Sequence, residues 1–227
     1  MKSLIYPSTP TTSTNGLSKK LSEQLLDFIP EGAIPKIVDW TLAHKVSIKI
    51  TPKRKTKLGD YRRPQNGHGH RISINGDLNQ YAFLITLVHE FAHLFAFIQF
   101  KGNIKPHGYE WQETYKASLN CFLGQGIFPQ DIENAIKEHL VSPSASSCVD
   151  QKLYKSLRQY NKEVPWQSDL KILENIPEGT YFYIPGDSKM FIKGPLMRKR
   201  YRCKEAKTGR AYSVSALVEV FVYEPKK

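Results

Sequence analysis

The spacing of apolar residues changes character along this chain, and each change predicts a different kind of element. After a stretch rich in Ser, Thr and Pro, Leu17, Leu21, Leu25 and Phe28 recur at helical intervals within NGLSKKLSEQLLDFI. PKIVDWTLAHK predicts a second short helix. VSIKITPKRKTKLGDYRRP then reads as a strand, a basic turn and a second strand, and HRISINGDL as another strand, in which Ile72 and Ile74 alternate with polar neighbours. From about Leu78 to Phe100 the pattern is helical and densely apolar. HGYEWQETYKASLNCFL, with Trp111, Tyr115 and Leu119 on one face, predicts a further helix, and PQDIENAIKEHL and VDQKLYKSLRQYNK predict two more. After Pro165 come short β-prone runs separated by turns: GTYFYIP, KMFIKG, RKRYRCKEA, RAYSVS and LVEVFVYE. The expected organisation is a mobile arm over residues 1–16, an α+β domain over 17–164 and a small all-β, barrel-like module over 165–227, with the break near NKEVPWQSD.

Composition narrows the possible partners. Hydrophobic residues make up 40% of the chain, enough for a real core. Lys and Arg outnumber Asp and Glu by 33 to 21, a formal charge of +12. Such an excess favours polyanions, nucleic acid ahead of a membrane surface, although a merely solubilising basic surface has the same composition. The three cysteines lie far apart with no CxxC pair, which excludes a zinc ribbon and a thioredoxin-type motif. Their odd number argues against a disulfide framework and fits a reducing cytosol. The N-terminus lacks the apolar core and cleavage site of a secretory signal, so the expected location is cytoplasmic.

The stretch LVHEFAHLFAF sets His89, Glu90 and His93 in the middle of an apolar helix. Burying three ionisable groups there is costly unless they are paired or bind a metal. Residues four apart share a helix face, so His89 and His93 can point at one ion, with Glu90 beside them to take a proton from water. A divalent metal makes hydroxide available near neutral pH, the chemistry of hydrolysis, most often of peptide bonds. Residues 81–100 are also about long enough to cross a bilayer. A lone span would have nothing to shield it or supply further ligands, and an apolar helix buried in an α+β domain accounts for the same pattern, so no membrane is expected.

A catalytic zinc needs a third protein ligand. Fourteen residues beyond His93, PHGYEW places His107 at the start of the next helix, after Gly102 and Pro106 have reversed the chain. His107 is the expected third ligand, and Glu110 its rival. HEFAH followed by HGYEW resembles the SprT-like metalloprotease family, which includes DNA–protein crosslink proteases. KLGDYR and RISIN resemble that family's hairpin and the strand entering its active-site helix. The resemblance covers about residues 20–125. It implies a zincin-like α+β domain, one zinc ion on His89, His93 and His107, and Glu90 as the catalytic base. Many bacterial members end in a cysteine-rich zinc ribbon; here the β module stands in its place.

Several other residues have candidate roles. His68 and His70 in NGHGHR would share a strand face, but the glycine-rich setting predicts a flexible loop. KRKTKLG reads as a solvated hairpin tip or a phosphate contact, and Tyr61 or Arg62 as a stabiliser of the oxyanion. In MRKRYRCKEAKTGR, a strand would put Arg198, Arg200, Arg202 and Lys204 on one face, about 6.5 to 7 Å apart, with Lys199 and Tyr201 on the other. Such a stripe suits a phosphate backbone; a charged edge guarding against strand pairing reads the same way. The function expected is a zinc-dependent endopeptidase acting on protein substrates, with DNA-bound proteins favoured by the resemblance and the charge. The alternative is a non-catalytic nucleic-acid-binding protein with a structural or vestigial metal site. A third reading is a zinc peptidase with no nucleic-acid role, whose β module binds protein.

Overall fold

The computed structural model of the chain describes residues 15–54, 57–141, 143, 150–161 and 170–223. Contacts divide the chain into two units, Met1–Ser147 with Lys155–Asn161, and Cys148–Tyr154 with Lys162–Lys227. Nearly all of the expected break and of the N-terminal arm lies outside the described residues. The architecture is α+β, with two separate sheets.

The first unit opens with helices α1 (Asn15–Leu25) and α2 (Ile34–Ala43). The stripe expected on α1 splits: Leu17 is exposed, Leu25 is buried, and Phe28 lies past the helix end with its ring 5.3 Å from that of Phe83. Three strands follow, β1 (Ser47–Thr51), β2 (Gly59–Arg62) and β3 (Arg71–Asn75), in the order β1-β3-β2. β1 runs parallel to β3 and β2 antiparallel to it, so β2 forms a free edge. β1 and β2 are therefore not a hairpin; in the basic segment between them Lys53 is exposed and Lys55 lies outside the described residues. Arg54 turns inward, donating to Asn75 Oδ1 (2.7 Å), Ser73 Oγ (3.0 Å), the Ser73 carbonyl (3.1 Å) and the Leu58 carbonyl (3.2 Å). Buried Asn75 donates in turn to the Lys57 carbonyl at 3.1 Å. This clamp fastens the β1–β2 connection to the end of β3.

The true hairpin joins β2 to β3. Gln65 and His68 exchange backbone hydrogen bonds of 3.1 Å each, around Asn66 (φ 54°) and Gly67 (φ 76°), the geometry of a type I′ turn. The segment read as a flexible loop is a tight turn, because Asn-Gly adopts two successive positive φ angles at little cost.

Helix α3 (Gln80–Phe100) is the core of the unit. Asn79 caps it by accepting from Tyr81 N–H and Ala82 N–H, while its Nδ2 donates to the Leu157 carbonyl at 2.8 Å. α3 is long and apolar enough to cross a membrane by composition, but thirteen of its 21 residues are buried, as befits a core helix. It packs on the sheet and on α4 (Tyr109–Asn120). Lys101 (φ 53°) and Gly102 (φ 74°) end it, both amides donating to the Phe97 carbonyl, and the chain reverses into α4. Helix α5 (Gln130–His139) follows, and α6 (Gln151–Arg158) is divided between the units, Lys155–Arg158 falling in this one.

The second unit holds six strands, β4 (Leu170–Ile172), β5 (Tyr181–Tyr183), β6 (Met190–Ile192), β7 (Arg200–Glu205), β8 (Ala211–Ser215) and β9 (Glu219–Val222), all antiparallel in the order β4-β9-β5-β6-β7-β8. Phe182, Phe191, Cys203, Val214 and Val220 form its core. The sheet is open rather than a closed barrel: among the described residues no ladder joins β4 to β8. β4 gives way after three residues to a 3-10 turn, and the Leu173 and Glu174 amides bond the Val218 and Ala216 carbonyls of the β8–β9 connection instead. The four-cation face is also shorter than expected. Arg200, Arg202 and Lys204 share the exposed face of β7, but Arg198 and Lys199 lie in a bend before the strand begins. Tyr201 and Cys203 supply the inner face, so Lys199 has no place to compete for in the core.

Asn75→Ala would remove one of the four acceptors of the Arg54 guanidinium and the side-chain donor to the Lys57 carbonyl. It is expected to cost about 2 kcal/mol, seen as roughly 30-fold faster amide exchange in β2 and β3. Unchanged exchange would mean that the clamp does not hold β2 in place.

Candidate metal centre and cleft

His89 and His93 project from one face of α3, and the reversal after Phe100 brings His107 against them. Their Nε2 atoms form a triangle with sides of 3.2 Å (His89–His93), 3.2 Å (His89–His107) and 3.1 Å (His93–His107). Hydrogen bonding cannot satisfy such a triangle. Each Nε2 is either a donor or an acceptor, so at least one pair is always alike. A cation at the centre satisfies all three lone pairs. Tetrahedral zinc with Zn–N bonds of about 2.0–2.1 Å places its ligand nitrogens about 3.3 Å apart, close to these sides. Among the described residues, these three form the one group of His, Cys, Asp or Glu side chains gathered tightly enough to hold a metal. Glu110 lies in the first turn of α4, outside the group.

The local sequence explains how His107 reaches this position. The Gly108 amide donates to the Lys105 carbonyl at 2.9 Å, closing a turn with Pro106 and His107 at its centre. His107 has φ 58°, the left-handed region that glycine usually fills at this place in a type II turn. A histidine there costs about 1–2 kcal/mol, a strain typical of functional positions. Gln112 Nε2 steadies the turn by donating to the His107 carbonyl at 3.2 Å. Beneath the imidazoles lies the fully buried Trp111 ring, its centroid 4.6 Å from those of His89 and His107 and 5.2 Å from that of His93. Tyr115 stacks on Trp111 at 5.0 Å. The apolar face expected of Trp111, Tyr115 and Leu119 is thus both core and floor of the site.

Burial sets the charge states. It drives the His89 pKa down to about 2 and that of His93 to about 4, helped by the neighbouring imidazoles. Burial also lowers the His107 pKa. All three stay neutral at physiological pH, with lone pairs free, as metal ligands must be. Glu90 is buried beside them, and its pKa is pushed up to about 8, by desolvation first and then by the Asp60 charge. The Tyr61 backbone N–H, Arg54 and Lys57 act in the opposite direction. A divalent ion nearby would pull it down further.

These groups open into a cleft of about 440 Å³, bordered by Lys57–Tyr61 on one side and by His107 and Tyr115 on the other. The Leu58 carbonyl accepts from the Asn75 amide, so alternation along the ladder turns the N–H and C=O groups of Gly59 and Tyr61 away from β3. Of the two oxyanion candidates, Tyr61 lines the cleft. Its hydroxyl is 2.9 Å from His70 Nδ1, and burial raises its pKa, so it remains a proton donor. Arg62 does not line the cleft; its Nε donates to Asp60 Oδ2 at 2.9 Å. His70 is held by Tyr61 and His68 is exposed, so this pair does not gather around a metal.

Residues 20–131 match the sequence model of the SprT-like family. The chain carries a SprT-like domain. The match takes in the HEFAH helix, the HGYEW turn and the edge strand that borders the cleft. The SprT-like family is of metallopeptidase type and is associated with zinc. No curated protein and no solved structure matches the chain.

Gly59 is a part of the SprT-like cleft that the sequence reading missed. A Cβ at this position would run into Glu90 Oε1 and lie 2.8 Å from Glu90 Cγ and 2.9 Å from Thr86 Cγ2. A glycine opening a strand was the available signal. Gly59→Ala should displace the Glu90 carboxylate and lower any Glu90-dependent activity at least roughly tenfold, a loss of about 1.4 kcal/mol or more, while metal content stays at the wild-type level. Turnover equal to wild type would show that Glu90 does not depend on this close approach.

Proposed function

We propose that the SprT-like domain is a zinc-dependent endopeptidase, acting on proteins associated with DNA. The observation that carries this reading is the convergence of three neutral imidazole nitrogens beside a buried carboxylate, in a cleft bordered by a free strand edge. His89, His93 and His107 would hold the metal through Nε2, giving a zincin-like centre with an open position. Bound there, zinc would polarise the scissile carbonyl and make water acidic.

The rest of the work falls to the chain itself. The outward-facing N–H and C=O of Gly59 and the C=O of Tyr61 offer backbone partners to an extended polypeptide lying beside β2. Such a ladder is indifferent to side chains, which suits a protease of broad taste. Glu90 would take a proton from the attacking water and pass it to the leaving amine nitrogen. The Tyr61 amide orients that carboxylate, and the Tyr61 hydroxyl, still protonated, would steady negative charge on the carbonyl oxygen. Trp111 and Tyr115 exclude water beneath the ligands. The excess of cations supports a DNA-associated substrate, and the exposed Arg200, Arg202 and Lys204 face of the β module is a further candidate contact.

Glu90→Gln keeps the shape of the side chain and removes its basicity. Cleavage of a DNA-binding protein, assayed with and without DNA, should fall at least roughly a hundredfold in this variant while metal content and folding persist. Hydrolysis at the wild-type rate would remove the mechanism. DNA binding by a wild-type protein that cleaves nothing would favour the non-catalytic reading.

A further inference from the structure

Beside the catalytic cleft lies a second groove of about 680 Å³, and Tyr61 lines both. Arg62, Arg63, Arg71 and His68 line this groove together with Tyr61 and Phe97, and no acidic side chain does. The surrounding sequence is strongly one-signed: between Ser47 and Arg71, Lys and Arg outnumber acidic residues eight to one. The single carboxylate, Asp60, is shared between Lys57 (2.7 Å) and Arg62 (2.9 Å).

The arrangement of these cations is unfavourable on its own. Arg62 and Arg71 are directly opposed across the β2–β3 ladder, where like charges destabilise pairing. Among the described residues Arg63 and Arg71 have no ion-pair partner within reach. Arg71 Nε is buried and has no hydrogen-bond acceptor, which costs free energy until one is supplied. The Asn66-Gly67 turn holds the hairpin in one shape, so the charges cannot simply spread apart. An anion with several oxygens would offset the opposed charges of Arg62 and Arg71 and give Arg63 a partner, and guanidinium forks match phosphate geometry.

We propose that this groove binds the phosphate backbone of single-stranded nucleic acid, with Arg63 and Arg71 on phosphates and the Tyr61 and Phe97 rings available to unstacked bases. A cationic track with aromatic faces is how single strands are held without sequence preference. The inference rests on the DNA-associated reading above and deepens it, because a strand held here lies beside the cleft. Protein attached to that strand would be presented to β2 at high effective concentration.

The test is equilibrium binding of a fluorescein-labelled oligothymidylate to the full chain, with no cleavage involved, so that its outcome is independent of the peptidase reading. Three variants are compared with wild type: Arg63→Gln with Arg71→Gln; Arg63→Glu alone, at an exposed position that leaves β3 untouched; and Arg200→Ser with Arg202→Ser and Lys204→Ser. Both groove variants should bind at least roughly tenfold more weakly. The slope of log affinity against log salt should fall by about 0.7 for each phosphate contact removed. The β7 variant should keep most of the affinity. Wild-type affinity in both groove variants would overturn the proposal, as would a loss confined to the β7 variant. Competition by polyglutamate as strong as by unlabelled oligothymidylate would also overturn it, by making the groove a subsite for acidic polypeptide.

Discussion

The first unit is organised around a conflict between burial and charge. Two imidazoles and a carboxylate stand where α3 is otherwise apolar, a third imidazole is brought against them from the turn before α4, and their burial disfavours charge on the histidines. Burial keeps the imidazoles neutral, but three neutral Nε2 atoms in mutual contact cannot all be satisfied by one another. The arrangement makes sense as a receptor for a cation, and the surrounding features hold it in place. Trp111 and Tyr115 fill the space beneath the rings, Asn79 fixes the start of the helix, and a strained turn presents His107 from the far side.

The same logic places β2. Glu90 has room because residue 59 has no side chain, and its carboxylate is held by the backbone of Tyr61. That strand therefore lies close against Glu90 and Thr86 of α3. Arg54 and Asn75 set this position from the opposite end of the hairpin, through hydrogen bonds to backbone carbonyls rather than to solvent. A cluster of basic residues that looked like exposed charge is thus partly a structural clamp: Arg54 holds the end of β3, while Lys53 and Lys57 pair with Asp77 and Asp60.

The parts legible in the sequence were those carried by local pattern. Helical periodicity gave α3, and the chemistry of two histidines and a glutamate on an apolar helix pointed to metal. Gly102 and Pro106 announced the reversal that brings His107 back. The five β-prone runs after Pro165 correspond to β5 through β9. The parts not legible depend on contacts distant in sequence. Nothing local says that β3 inserts between β1 and β2, that Gly59 makes room for a residue 31 positions later, or that Leu170–Ile172 pairs with the last strand. The closed barrel failed for a similar reason: alternation predicts strands but not whether the first and last of them meet. The stripe on β7 lost Arg198 because strand onset depends on pairing with Ser215, which alternation of charge cannot reveal.

The imidazole triangle has the donor set and spacing of a zinc site. X-ray absorption at the zinc edge, on protein purified without chelator and quantified for metal, tests it most directly. Close to one zinc per chain is expected, bound by three imidazole nitrogens and one further light atom at about 2.0–2.1 Å. A chain that stays folded with no bound zinc, or a shell containing sulfur or fewer than three imidazoles, would contradict it.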